Sequence, residues 1–428
     1  MILCSTNDPR NRATFREAVD RGIAEDGGLY VPVSLTPFTP GELAGWKGMS
    51  LQETAFAVSR RFLGDEISPA PLRRIVEESM TFPIPLRRLE EDTSVLELFH
   101  GPTLAFKDVG ARFMARTVAY FHRGDDREVD VLVATSGDTG SAVAQGFYGV
   151  KGVRVVLLYP SGKVSKIQEQ QMTTIGGNVT ALEVQGTFDD CQRLVKQALT
   201  DGEVKKHRRL SSANSINIAR LMPQMFYYFH AGLQVGVSPV FSVPSGNLGN
   251  LTAGVLAHAM GLPVRKFIAA CNVNDVLPEY LRHGSFRPRP SVQTIANAMD
   301  VGNPSNFARL MAIYGRSREK MAAEIGGFSC TDGQTRETIR AVYRKLGYVL
   351  DPHGAIAYRA WKHEQGMRGQ GIVIATAHPA KFAEVYDDGM AAGITIPPRL
   401  QACLERQKQS VRISSQFDDF KSFLIHHT

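Results

Sequence analysis

The sequence predicts an α/β fold, with parallel sheets covered on both faces by helices and an additional N-terminal segment of different character. Three observations carry that expectation. Through the middle of the chain, short continuous apolar runs alternate with helical patterns, as strands buried on both faces require. Several of these runs end in loops rich in Gly, Ser, Thr and Asn. The 428 residues are too many for one simple core, so two or three packed units are expected.

Residues 1–95 are mixed in pattern, carry several prolines and contain a turn-and-strand segment at 27–32. They are expected to form their own unit, with residues 96–428 making two α/β subdomains. Strands are expected at 129–134, 153–159, 179–184, 239–243, 264–271 and 371–375. Helices are expected at 109–121, 141–148, 167–175, 188–199 and 251–260, and residues 321–344 read as helix-rich. Ligands on open parallel sheets bind beyond the carboxyl ends of the strands. That directs attention to the loops at 135–140, 244–250 and 376–381. There is no internal repeat and no low-complexity tract.

Composition narrows the class. A chain that is 43% hydrophobic and 21% charged reads as a soluble globular protein. The net charge of +7, from 49 basic and 42 acidic residues, suits anionic small substrates, and no recognition motif points to nucleic acid. The cysteines, Cys4, Cys191, Cys271, Cys330 and Cys403, are far apart with no CxxC pair. That argues against a disulfide scaffold and a zinc site, and for a reducing, cytoplasmic setting with no metal. No run approaches the roughly 18 apolar residues of a membrane span, and the first residues lack a signal pattern.

Four segments have the composition of a site. Ser245-Gly246-Asn247-Leu248-Gly249-Asn250 follows a strand and opens a helix, where glycines and free N–H groups make a phosphate cradle. The plainer alternative is a capped strand-to-helix turn. Thr135-Ser136-Gly137-Asp138-Thr139-Gly140 offers hydroxyls and amides to a carboxylate, or simply caps a helix. In His100-Gly101-Pro102-Thr103-Leu104-Ala105-Phe106-Lys107-Asp108 a lysine opens a helix. There, desolvation and the helix dipole would lower its pKa and supply a neutral, nucleophilic amine, although most lysines so placed are solvated. Thr376-Ala377-His378-Pro379-Ala380-Lys381 follows a buried strand. Its Thr376 hydroxyl is free to face a ligand, and His378 reads as a base or as a structural residue. Asp351-Pro352-His353-Gly354 forms a further turn.

Taken in order with residues 22–32, Ser212-Ala213-Asn214-Ser215-Ile216-Asn217 and Asn272-Val273-Asn274-Asp275, these segments resemble threonine synthase, of the branch found in many bacteria and in fungi, over nearly the whole chain. The resemblance implies a pyridoxal-phosphate (PLP) enzyme of fold type II, tryptophan synthase β-like, with the cofactor in a cleft between two α/β domains. It implies that Lys107 carries the cofactor covalently and is the catalytic residue. Gly246, Asn247, Leu248, Gly249 and Asn250 would hold the cofactor phosphate. Asp138 would lie near the ring toward its 3′-oxygen, and Thr376 would hydrogen-bond the pyridine nitrogen. Ser136, Gly137 and Thr139 would bind the substrate carboxylate.

The implied reaction converts O-phospho-L-homoserine and water to L-threonine and phosphate. A second anion site would then be needed, with Lys163, Lys166, Arg112 and Arg116 as candidates. Two departures stand out: Leu248 where the family often has Phe, and Asp351 where Glu is commoner. The competing readings are a phospho-lyase giving a 2-keto acid from O-phosphothreonine or O-phosphohomoserine, and a non-catalytic PLP-binding or interaction protein. The expected partner is a small phosphorylated amino acid, with no nucleic acid or membrane, and the chain is expected to be a monomer or homodimer.

Overall fold

Three sheets organise the chain in the computed structural model, which describes residues 1–428 except 136, 365–368, 392 and 428. The N-terminal strands β1 (Ile2–Ser5), β2 (Arg12–Thr14) and β3 (Tyr30–Pro32) form an antiparallel sheet in the order β2-β1-β3. Helices Leu51–Leu63 and Pro69–Ser79 follow, each starting from a serine at its N-cap. Strands β4 (Leu86–Arg88) and β5 (Thr93–Glu97) then begin a larger sheet. The expected division between residues 95 and 96 thus falls inside a strand of that sheet.

The chain next builds a smaller sheet from β6 (Val129–Ala134), β7 (Val153–Pro160), β8 (Val179–Gln185) and β9 (Arg209–Ser212). It returns to the larger one with β10 (Val240–Pro244), β11 (Lys266–Cys271), β12 (Ile325–Ser329) and β13 (Gly371–Ala375), and closes the smaller one with β14 (Val411–Ser414). The larger sheet has the order β12-β11-β10-β13-β5-β4, parallel except at β4. The smaller has the order β14-β8-β7-β6-β9, parallel throughout. Central strands such as β6 (VDVLVA) and β13 (GIVIA) are buried at every position, which explains why they are apolar apart from Asp130, whose buried carboxylate pairs with Arg154 (2.6 Å).

The strands expected at 129–134 and 371–375 coincide with β6 and β13, and the other expected strands agree to within two residues. The helix-rich reading of 321–344 is corrected, because β12 interrupts it. Its sequence, Ile-Gly-Gly-Phe-Ser, carries little strand signal. At Gly327 a Cβ would stand 2.7 Å from Pro278 Cα, so close packing demands a residue that strands otherwise avoid.

Connectivity decides where a ligand can bind. In the larger sheet the strand order reverses between β10 and β13, and β5 lies beside β13. In the smaller sheet it reverses between β6 and β9. Loops diverge at such points and leave a crevice. The loops after β5, β6, β9, β10 and β13 contain the segments singled out from sequence.

Candidate active site

The loop after β5 is shaped by its own side chains. Asp108, fully buried, accepts hydrogen bonds from the Thr103 amide (2.8 Å) and hydroxyl (2.7 Å). Those bonds close residues 103–108 into an arch. Leu104 adopts a left-handed φ of 61°, a conformation that costs a branched residue about 1–3 kcal/mol. The arch is joined to the loop after β13. The Phe106 amide donates to the Thr376 carbonyl (2.8 Å) and the His378 amide to the Leu104 carbonyl (3.0 Å), with a bridge between Ala105 and Ala377. Lys107 then opens the helix Lys107–Phe121. Burial lowers its pKa; Asp138 opposes that, and Lys381 and Arg220 lower it further. The outcome is an amine biased toward its neutral, nucleophilic form.

Asp138 opens the helix Asp138–Phe147 after β6. Its Oδ1 accepts from Lys381 Nζ and from Gln168 Nε2 (3.0 Å), while its Oδ2 lies 3.8 Å from Lys107 Nζ. Burial pushes its pKa up, but Lys381, Lys107 and these hydrogen bonds outweigh burial and hold it well below the ordinary carboxylate range. Lys381 has a side chain 0% exposed and also donates to the Thr103 carbonyl (3.2 Å). The nearer cation on Asp138 is therefore Lys381, and Lys107 keeps only the longer contact.

In the loop after β10, Asn247 Nδ2 donates to Ser215 Oγ (2.6 Å), and the Asn247 carbonyl accepts from Asn306 Nδ2 (2.9 Å). Gly246 permits close packing, since a Cβ there would stand 2.7 Å from Met299 Cα. Leu248 holds a left-handed φ of 60° at the cap of the helix Gly249–Ala259. Asn250 Oδ1 accepts from the Tyr227 and Tyr228 hydroxyls, both at 2.8 Å. Its Nδ2 is left buried with no partner among the described residues. A buried unpaired donor is costly. In the first turn of a helix, beside free N–H groups, it is suited to an anionic oxygen. These residues fit a phosphate.

Thr376 is buried, 6% exposed, and its carbonyl is the acceptor for the Phe106 amide. Thr135 Oγ1 accepts from the amides of Gly137 (3.0 Å) and Gly140 (2.8 Å), so that residue caps the helix. Gly137 is buried and Thr139 partly exposed at its start; Ser136 lies outside the described residues. His378 is structural. Its Nδ1 accepts from the Ala380 amide (3.1 Å), and burial lowers its pKa to about 4. Asp351 caps the helix Pro352–His363 and binds His353 Nδ1 (2.8 Å), whose Nε2 accepts the Ala298 amide (3.2 Å). Asn272 and Asn274 both donate to Asp300 (2.8 and 3.3 Å), so that motif pins the 287–300 loop.

The candidate anion ligands divide. Arg112 is committed to the Glu78 and Ser79 carbonyls and the Thr81 hydroxyl, and Arg116 to the Gly146 carbonyl. Lys163 and Lys166 are exposed. Sequence reasoning passed over Arg220, which is 3% exposed, donates to the Ala213 carbonyl and has a buried Nε with no partner among the described residues. It follows the Ser212–Asn217 motif by three positions, a proximity that was the only available signal. Lys381 stood inside a recognised segment, but its burial against Asp138 was not legible there.

Residues 78–377 match the family model described as "Pyridoxal-phosphate dependent enzyme", residues 3–80 "Threonine synthase N terminus" and residues 354–424 "Threonine synthase, C-terminal". The chain is 40% identical to the threonine synthase of Escherichia coli (strain K12), with 100% of each chain covered. The E. coli enzyme's crystal structure superposes with a TM-score of 0.92 over 100% of both chains. A PLP-bound threonine synthase from Brucella melitensis, 36% identical, gives 0.94 over 100% of this chain and 99% of that one.

Two measurements test the electrostatics. Lys381→Met is expected to free Asp138 to pair with Lys107 and to remove a cation that lowers its pKa. The acid limb of the activity–pH profile should then move up by about one unit or more; an unmoved limb would show that Lys381 does not tune Lys107. Burial raises Asp108 to about 6 from 3.8, against the Thr103 hydrogen bonds. The folded state therefore binds this proton more tightly than the unfolded one, so this contribution to stability falls as pH rises between those values. Asp108→Asn is expected to remove that slope from the difference between wild-type and variant unfolding free energies, read by urea denaturation from pH 4 to 6.5.

Proposed function

We propose, because this chain belongs to the threonine synthase family of pyridoxal-phosphate-dependent lyases, that it converts O-phospho-L-homoserine and water to L-threonine and phosphate, with Lys107 as the residue that carries the cofactor. The observation that carries the assignment of Lys107 is its half-buried position where the loops after β5, β6 and β13 meet, with Asp138 claimed by a second lysine. Bound there, the cofactor supplies an electron sink for negative charge at the substrate Cα.

The chain's own residues do the rest. The Lys107 amine moves protons at Cα and Cβ. Residues 246–250 hold the cofactor phosphate through backbone N–H groups, with the unpaired Asn250 Nδ2 as a further donor. Thr376, buried just after β13, would face the pyridine nitrogen with its hydroxyl, which would leave that nitrogen without a carboxylate to hold its proton. Asp138 would lie near the ring, toward its 3′-oxygen. Gly137 and Thr139, at the start of the helix after β6, would take the substrate carboxylate together with Ser136. Arg220 is the better-supported ligand for the substrate phosphate, because it is buried, lacks an ion-pair partner among the described residues and has a free N–H.

The proposal extends to the setting: a cytoplasmic monomer or homodimer without nucleic-acid or membrane partners. All five cysteines are unpaired, and no helix among the described residues is long and apolar enough to cross a membrane.

The purified protein is expected to be yellow, and borohydride followed by peptide mapping should place the fixed label on Lys107. Lys107→Ala should lose about 10²–10⁴-fold in turnover. With O-phosphohomoserine the product should be threonine; 2-oxobutyrate as the main product would instead support the phospho-lyase. A colourless protein that takes up no PLP would leave the non-catalytic reading.

A further inference from the structure

Arg309 is the largest fully buried side chain among the described residues. Its guanidinium has no ion pair with a carboxylate among them. Every partner is a neutral acceptor: the carbonyls of Tyr30 (2.9 Å), Ser215 (3.5 Å) and Ile216 (2.5 Å), and Asn306 Oδ1 (2.7 Å). Burial depresses its pKa to about 9. A buried charge without a counter-charge is costly, so its retention calls for an explanation.

The four partners come from three separate parts of the chain. Tyr30 is the first residue of β3, in the N-terminal sheet. Ser215 and Ile216 belong to the loop after β9. Asn306 passes the contact to the phosphate cradle, because its Nδ2 donates to the Asn247 carbonyl (2.9 Å), and Asn247 in turn reaches Ser215 Oγ (2.6 Å). The same N-terminal unit touches β9 and the loop after it a second time: Asn217 Nδ2 and Ser211 Oγ both donate to the Val19 carbonyl (2.9 and 3.0 Å).

We propose that Arg309 is a positioning residue for the cofactor phosphate: it holds the residue 246–250 cradle in register with the N-terminal unit and supplies the buried positive charge that a bound phosphate balances. Two physical effects act together. The fork geometry of a guanidinium fixes several carbonyls at once, so cradle, loop and β3 are ordered as one piece. The uncompensated charge lies one residue from the cradle, where low dielectric strengthens its attraction to an anion. Phosphate binding therefore stabilises the Arg309 hub, and through Tyr30 the N-terminal sheet, by linkage. The inference rests on the cofactor assignment above.

The test compares PLP with pyridoxal, which lacks the phosphate. Arg309→Lys keeps the charge and loses the fork, and Arg309→Met loses both. Each is expected to weaken PLP binding to the cofactor-free protein by about tenfold or more, with Met the weaker binder, while pyridoxal binding changes little. Equal losses for the two ligands, or none, would overturn the proposal. Hydrogen exchange on the wild-type protein needs no variant. PLP, or inorganic phosphate at high concentration, should slow exchange of the β1 and β3 amides, and pyridoxal should not. If pyridoxal slows them equally, or PLP does not slow them, the proposal fails; should neither variant fold, this measurement decides. Wild-type protein that takes up PLP at Lys107 without this coupling sinks only the present inference, whereas no uptake at all sinks the cofactor assignment.

Discussion

The ion pair between Asp138 and Lys381 is the contact on which the rest of the site depends. A carboxylate buried beside an amine-bearing lysine is a hazard for a nucleophile, because at low dielectric it would hold that lysine protonated. The chain does not move Asp138 away, since its Oδ2 is 3.8 Å from Lys107 Nζ. It gives the carboxylate a closer cation instead. Lys381 has no exposed side-chain surface, so no water competes for it. Gln168 occupies the same carboxylate oxygen. Asp138 then stays ionised, and burial, helped by Lys381 and Arg220, still lowers the Lys107 pKa.

That pair is also mechanical. Lys381 comes from the turn after β13, Asp138 from the helix after β6, and the Thr103 carbonyl that Lys381 also reaches belongs to the arch before Lys107. One buried ammonium thus ties the two sheets together at the point where the lysine enters the cleft. Breaking a buried pair by removing one partner ordinarily costs about 3–5 kcal/mol. Here Lys107 stands ready to replace the lost cation, which softens the cost to folding and transfers it to the chemistry.

Much of this was legible in the sequence, for identifiable reasons. β6 and β13 were readable because burial on both faces forces a run that is apolar throughout β13 and interrupted only by Asp130 in β6. Lys107 and the residue 246–250 loop were readable because helix starts and glycines have local signatures. β12 was hidden because close packing on Pro278 put glycines in a strand. Arg112 and Arg116 looked available because sequence does not show carbonyl acceptors, and both are committed to them. Lys381, Arg220 and Arg309 were overlooked for the converse reason: their charge is apparent in sequence, but their burial, the pairing of Lys381 with Asp138 and the lack of carboxylate partners at Arg220 and Arg309 among the described residues are properties of the fold.

Those buried cations make one further argument. Lys381 is balanced by Asp138, but Arg220 and Arg309 have no carboxylate partner among the described residues, and Asp108 is pushed by burial toward its neutral form. A cleft with surplus buried positive charge is less stable empty than filled, because each bound anion removes part of a desolvation cost already incurred in folding. A ligand set with one phosphate on the cofactor, and a second phosphate and a carboxylate on the substrate, supplies that balance. The buried cations that help lower the Lys107 pKa also favour anionic ligands, so reactivity and substrate class share one distribution of charge.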